Sequence, residues 1–576
     1  MFHFLRKPAR TPQVNISAAK LKQQNQYGYY KMTCPFCLKE FDVWEMPFRA
    51  NTVQQSTANP GTNTATPYVS QVKQDVRSGS MDRNTLSQVT SALPVLQPPK
   101  QNIHTDVHHF PPEVDALHEE FLRRMRIQES HTLYKGKVLT VFQPGEDGTF
   151  DCEGIEAVKL FGSDAWIPAT GANAQAIRHR AVAKIRDQYG NTSEERLCPH
   201  CHNPMPDKAG QLPSYVIMIL GDTNSGKTVY KIRMLHELNA RGLLEKRVGV
   251  TSFFCRSATD GKAAPSITRL WADTFRQAYK GTRKRIADTT NVMYIDPYTL
   301  TLRRNGKEVA LLTLYDFPGE AIRFDKDNLQ HKEYVAGIRE RMEVVDGIMF
   351  LLDLTSVEYM ADNLAKEYMA PPPDHPEFEV WPPADVLDNF MSNYLPLNMD
   401  GIVKVPICYI FSKADLLEMA IKQCRNKKSP WYEVGQIKNS LRYLNDPPIC
   451  VTNRRDLFLE NIAKTTKDPR EMELQLEQFD QQHDRVDMEN ILQSDAELRH
   501  LLGDEFGMAL ELSPKSLCFA ASAVGAPIRS DDEQVEECEP VRVMEPLEYL
   551  LWQMGLLEYR LPGADADKER LAKLRQ

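Results

Sequence analysis

The chain has 576 residues, and its 70 Lys+Arg against 78 Asp+Glu give a net charge of −8. That length exceeds what one hydrophobic core supports, so about two to three domains are expected. The acidic balance excludes a protein that coats nucleic acid over its whole surface, though not a local basic patch. No run approaches the roughly 18 apolar residues of a membrane span, and the opening Met-Phe-His-Phe-Leu-Arg-Lys lacks the apolar core of a secretory signal. A cytoplasmic protein with no membrane span is expected.

In chain order, the first residues with evident chemistry are Cys34-Pro-Phe-Cys37, a pattern repeated far downstream as Cys198-Pro-His-Cys201. Each C-P-x-C makes a tight knuckle whose amides face the sulfurs, and two knuckles supply a tetrahedral four-cysteine zinc site. Such pairs usually lie about 15–20 residues apart, whereas here 160 residues (38 to 197) intervene. Either these are the halves of one zinc ribbon, over 24–48 and 191–210, with a domain inserted in its loop, or they are two unrelated turns. The matched sequences favour the ribbon. A redox pair fits less well, because neither knuckle opens a helix in a βαβ unit. His200 and His202 are alternative ligands expected to be exposed. The other seven of the eleven cysteines, Cys408 and Cys518 among them, read as core residues rather than a disulfide framework.

Residues 49–108 are rich in Thr, Ser, Asn, Gln and Pro and poor in large apolar side chains, a composition expected of a disordered linker. Over 109–190 a small α+β insertion is expected: a helix at 114–126, a strand at 132–142, a turn at Gly145-Glu-Asp-Gly148 and a basic helix at 172–188. Arg178, Arg180, Lys184 and Arg186 on that last helix could touch nucleic acid, but a solvated helix face explains them as well.

The most specific signal follows. Gly221, Asp222, Thr223, Asn224, Ser225, Gly226, Lys227 and Thr228 fit G-x-x-x-x-G-K-[ST], the loop that cradles nucleoside triphosphate phosphates. An apolar strand at 215–220 precedes it and an amphipathic helix at 229–244 follows. The glycines let backbone N–H groups point inward, and the helix N-terminus adds positive potential. Lys227 would reach the β- and γ-phosphates, and the Thr228 hydroxyl would join a Mg²⁺ shell. A plain glycine turn into a core helix would explain the glycines but not the consecutive Lys and Thr.

Two strands are expected at 298–304 and 309–315, the second ending in Asp316-Phe-Pro-Gly319, 88 residues after Thr228. An acid at that strand tip can hold Mg²⁺ through water, and Gly319 can offer its N–H to a γ-phosphate. The magnesium-ligating threonine of a switch segment should precede these strands; Thr289 and Thr290 are the candidates. Residues 355–404 and 416–515 read as insertions, with a charged helical arm at 468–485. Between them, a strand at 405–411 runs into Ser412-Lys413-Ala414-Asp415. A carboxylate at 415 can accept from both N1–H and the amino group of guanine, which adenine does not offer, and the stem of Lys413 can pack along the base. The competing reading is a charged turn after a core strand. A last strand at 516–521 leads into Ser522-Ala523-Val-Gly525, and a helix at 546–555 capped by glycine closes the region before a tail at 563–576.

Taken together, these boxes make 211–562 resemble a P-loop GTPase of the translation-factor-related class. More narrowly, the Asp-Phe-Pro-Gly-Glu turn, the long interval before the last strand and the closing proline-led Leu/Trp helix resemble bacterial zinc-ribbon GTPases of the double-GTPase type, associated with prokaryotic conflict systems. The resemblance implies an α/β fold with a mainly parallel sheet and a guanine nucleotide bound with Mg²⁺ beside a structural Zn²⁺. Ser522 and Ala523 would contact the base. Two residues depart from the pattern. Glu320 stands where Gln often orients the attacking water, so hydrolysis should be slow or should wait for a partner's arginine; Arg323 could act in cis, but reads better as a surface arginine. Ser412 replaces the usual Asn. The expected activity is a GTP-hydrolysing switch with a protein partner or activator; the alternatives are a non-hydrolysing nucleotide-binding scaffold assembled through its zinc module, or an ATPase. A nucleic-acid partner has no supporting signal beyond the basic residues named above.

Overall fold

The computed structural model describes residues 21–51, 107–110, 115–125, 139–150, 154–187, 190–222, 225–240, 249–254, 267–276, 297–304, 307–317, 332–363, 383–395, 405–436, 515–527 and 540–557. Positions 322 and 403 and helical pieces within 462–478 and 491–502 complete the set.

The amino-terminal third is built from short antiparallel strands. β1 (Met32–Thr33) pairs with β2 (Glu40–Phe41). β3 (Phe48–Asn51) and β4 (Val107–Phe110) flank β5 (Leu139–Phe142), so the two ends of the expected linker, 49–51 and 107–108, are strands held by cross-strand pairing to β5, while 52–106 lie outside the described residues. Helix α1 (Ala116–Arg124) is capped by Asp115, which accepts from the His118 N–H at 3.2 Å. Next, β6 (Ile155–Leu160), β7 (Trp166–Pro168), β8 (Val182–Asp187) and β9 (Thr192–Ser193) form a sheet in the order β7-β6-β8-β9.

That sheet corrects the expected helix at 172–188. Only Ala174–Ile177 is α-helical there, and His179, at φ +53°, turns the chain out of the helix. The following segment pairs with β6 as β8, burying Val182 and Ile185 with Phe48, Phe142 and Phe150 in a core of their own. Regular cross-strand pairing outweighed a charge pattern that only looked helical. Three of the four basic side chains are also engaged: Arg178 with Asp147, Lys184 with Glu194 and Arg186 with Glu156.

The remainder is a three-layer α/β unit. In chain order it contains β10 (Ser214–Gly221), α2 (Lys227–Ala240), β11 (Gly249–Phe254), β12 (Tyr298–Arg304), β13 (Lys307–Asp316), α3 (Lys332–Met342), β14 (Gly347–Asp353), α4 (Pro383–Asn393), β15 (Ile407–Ser412), β16 (Leu517–Ala521) and α5 (Glu545–Gln553). The strands form one sheet in the order β11-β12-β13-β10-β14-β15-β16. All run the same way except β12, which is antiparallel to both neighbours. The expected insertions at 355–404 and 416–515 contain α4 and the helices Leu417–Gln423 and Pro430–Gln436.

Central parallel strands are covered on both faces, so they read as unbroken apolar runs, and β10 is buried along its whole length. Its alternate side chains feed two cores. Val216, Met218 and Leu220 join α3, α4 and the cysteine-bearing module, while Tyr215, Ile217 and Ile219 join α2 and α5. The cysteine module is thus one core with the sheet. Thr33 N–H donates to Ser214 Oγ at 3.2 Å, and Lys22 Nζ bridges Ser214 O at 2.7 Å and Asp346 Oδ2 at 3.0 Å. Among the described residues, no helix is long and apolar enough to cross a membrane.

In the first turn of α5, Glu545 is buried and accepts from Arg542 Nε at 2.6 and 2.7 Å. Burial pushes its carboxyl up to about 7 despite the attraction of Arg542. A folded-state value above the unfolded one means that this group favours folding most in acid and loses that contribution as pH rises through about 7. The stability of the wild type relative to Glu545→Gln should therefore fall between about pH 5 and about pH 8, as read by urea denaturation at each pH. A constant difference would contradict it.

Candidate functional site

The two C-P-x-C turns come together although 160 residues separate them (38 to 197). Cys34 Sγ lies 3.7 Å from Cys201 Sγ and Cys37 Sγ 3.7 Å from Cys198 Sγ, with all four sulfurs within 4.8 Å of one another. A tetrahedron with Zn–S bonds of about 2.3 Å has edges of about 3.8 Å, so the spacing suits one metal ion such as zinc. The turns are near copies. Leu38 and His202 both take positive φ, at +57° and +51°, and both donate N–H to the first cysteine's carbonyl at 3.0 Å. Amides of Phe36 and His200 point at the sulfurs of Cys34 and Cys198, at 3.4 and 3.3 Å. Burial pushes the Cys34 and Cys198 thiols up, whereas hydrogen bonds from Cys198, Cys201 and Cys34 pull Cys37 down. The cluster thus gathers thiols whose deprotonation a cation would complete.

His200 is exposed as expected, but His202 is buried. Its Nδ1 lies 2.8 Å from Asp115 Oδ2, and Arg49 donates to its carbonyl at 3.0 Å. Asp115 is itself held low, because the hydrogen bond from His202 and the charges of His202 and Arg49 outweigh its burial. The cap of α1 therefore also braces the second knuckle.

Those of the other sequence-predicted residues that the structure describes gather at the carboxyl ends of the parallel strands, where open α/β sheets bind ligands. The switch point is there too: the chain leaves β10 toward β13 and leaves β14 toward β15. Gly221 ends β10 at φ +147°, and a Cβ on it would sit 2.5 Å from Leu351 O and 2.7 Å from Ser225 Oγ. Gly226 takes φ +79°, and α2 begins at Lys227. Lys227 folds back over the loop, donating to Gly221 O at 2.6 Å and Asp222 O at 2.9 Å, and Ser225 Oγ donates to Asp222 O at 2.7 Å. Thr228 is half-buried on the first turn of α2. Thr223 and Asn224 lie outside the described residues.

Asp316 ends β13 beside this loop, Ile219 of β10 being its register partner. It is buried, and Lys231 Nζ lies 2.5 Å from its Oδ2. Among the described residues its Oδ1 is buried without a hydrogen-bond partner. Gly319, Glu320, Arg323, Thr289 and Thr290 lie outside the described residues.

On the far side of β10, Asp353, Ser412 and Ala521 align across β14, β15 and β16. Ser412 is buried and donates to Leu352 O at 3.1 Å, so it ties its strand to the neighbour. Lys413, in a left-handed conformation at φ +62°, donates to Asp353 Oδ2 at 2.6 Å, and Thr355 holds the other oxygen through its N–H and hydroxyl at 2.9 and 2.8 Å. Asp415 is half-buried; burial pushes its carboxyl up, while a hydrogen bond from Ser522 and the charge of Lys413 oppose the rise. Ser522 Oγ also accepts from the Gly525 N–H at 2.9 Å, and Ala523 follows in the same turn. The two carboxyl-end boxes thus touch.

Sequence reasoning missed Lys231, Asp353 and the pair Asp115–His202. Asp353 was findable, since Gly347–Asp353 is an apolar run ending in an acid like the others. Lys231 carried no signal, because a lysine on a helix reads as solvated. Neither a protein-family model nor a curated protein matches the chain.

Proposed function

We infer that the chain is a GTP-binding switch that hydrolyses GTP to GDP and phosphate, in the manner of the zinc-ribbon GTPases it resembles. The observation that carries this reading is the meeting of four boxes, separate in sequence, at the carboxyl ends of β10, β13, β15 and β16. Lys227 and the N–H groups after Gly221 bind the phosphates. Thr228 and Asp316 would hold Mg²⁺, which would supply neutralisation of phosphate charge. Two features suit this ligand set: the unmet Oδ1 of Asp316, and a loop at Gly221 too close to β14 for any side chain. Asp415 reads guanine, Lys413 is steadied by Asp353 to pack along the base, and Ser522 with Ala523 closes the base side. Gly319 senses the γ-phosphate. Glu320 keeps hydrolysis slow until a protein partner supplies an arginine. The four cysteines hold zinc as a fixed buttress of β10, within a ribbon whose loop carries the 109–190 insertion. A regulatory role in a conflict system is what the resemblance implies.

Nucleotide binding and turnover on zinc-replete protein test the reading. GTP should bind better than ATP, and Asp415→Ala should erase a preference of about 1–3 kcal/mol, some 5- to 150-fold. Lys227→Ala should abolish phosphate release. Equal binding of both nucleotides, indifferent to residue 415, would reject the guanine assignment in favour of an ATPase. The Lys231–Asp316 ion pair favours a second reading, a scaffold that binds GTP without turning it over; tight binding with no phosphate release would select it.

A further inference from the structure

Lys231 is a buried cation to which the roles above give no task. It lies one helical turn past Lys227 on α2, so both ammonium groups leave the same face of the helix. The Lys231 and Asp316 side chains are only 5% and 1% exposed, and Nζ also stands 5.5 Å from the ring centre of Tyr298. An ammonium is costly to bury unless a partner offsets the lost hydration. Here the partner is the same acid that would serve Mg²⁺. One carboxylate thus carries a fixed cation on Oδ2 and, among the described residues, an unmet acceptor, Oδ1, on its other side.

We propose that Lys231 is a tethered counter-cation that competes with the divalent ion for Asp316 and so sets how much Mg²⁺ the site needs to hold nucleotide. This rests on the GTP-switch reading. With Lys231 in place, Asp316 is already neutralised, and an approaching Mg²⁺ meets a like charge. The site should therefore require more Mg²⁺ than one with a free acid. A partner or a nucleotide state that draws Lys231 away would then tighten the metal.

The test is fluorescent GDP binding to the full chain across a Mg²⁺ titration, for wild type, Lys231→Met and Lys231→Gln. Gln keeps an N–H donor for Asp316 while removing the charge, and it decides the matter if the Met variant fails to fold. Mn²⁺ in place of Mg²⁺, followed by electron paramagnetic resonance, reads the metal directly. Both variants should lower the half-saturating metal concentration by about tenfold or more, the scale on which an adjacent opposite charge alters a carboxylate's affinity for a proton. A merely structural lysine would weaken GDP binding at every Mg²⁺ level and leave the midpoint in place. If all three proteins bind GDP with one midpoint, this proposal falls and the GTP reading stands. If wild type binds no GDP at any Mg²⁺ level, the GTP reading falls and takes this proposal with it.

Discussion

Serine in place of Cys198 is expected to strip the zinc and unfold much of the amino-terminal third, lowering the melting temperature by about 10 °C or more. Cys198 is fully buried, and it belongs to the same core as Met32, Phe36, Met205 and the β10 side chains Val216 and Met218. Structural zinc contributes about 10–16 kcal/mol to isolated finger peptides, as large as the about 5–15 kcal/mol that usually separates folded from unfolded protein. Part of the module would survive on its apolar contacts with the sheet, which is why a large shift rather than complete unfolding is expected. Calorimetry with elemental analysis checks it: one zinc per chain in the wild type and none in the variant. A metal-free wild type that melts like the variant would remove zinc from the account.

Gly221→Ala should be the most damaging single methyl in the sheet, costing about 3 kcal/mol and weakening nucleotide binding by at least about tenfold. The added Cβ would meet Leu351 O at 2.5 Å, and that oxygen belongs to a strand in register with Gly221 itself. Neither partner can retreat without breaking the β10–β14 ladder. Gly226→Ala is the control: it meets nothing within 4 Å, so only its φ of +79° opposes the side chain, at about 1 kcal/mol. Chemical denaturation of both variants separates the effects. Equal losses would mean that the approach of Leu351 O is not the limiting constraint.

Much of the sheet was legible because its parallel strands are buried on both faces. Runs such as 215–220, 405–411 and 516–521 are short, unbroken and apolar, and each ends in polar residues where the strand meets the site. β14 has the same form and escaped notice only because its closing Asp353-Leu-Thr fits no familiar box. β11 was harder, since an edge strand of six residues offers little pattern. The meeting of Cys34 and Cys37 with Cys198 and Cys201 could be argued from the twinned turns alone. Nothing local, however, told that His202 would be drawn inward by Asp115, or that β8 would pair rather than coil. Those outcomes depend on partners remote in sequence, as does Lys231, whose burial follows from where β13 ends. Charge patterns proved the weakest guide: the same Arg and Lys spacing suits a wet helix face and an ion-paired strand.

The shared start and finish of the segment between the knuckles has a consequence for how this protein can vary. The chain leaves the cysteine cluster at Cys37 and returns at Cys198, and β3 meets the returning segment through an isolated bridge of Phe48 with Arg196, with Arg49 N–H donating to Glu195 O at 3.0 Å. Closure entropy grows only as the logarithm of loop length, so a 160-residue excursion (38 to 197) costs about 2 kcal/mol more than one of about 18 residues. Doubling it would add only about 0.6 kcal/mol. Added length in the excursion therefore costs β10 and the loop at its tip almost nothing, provided that Arg49 and Asp115, which hold the second knuckle, and the apolar residues of α1 that share the β10 core stay in place.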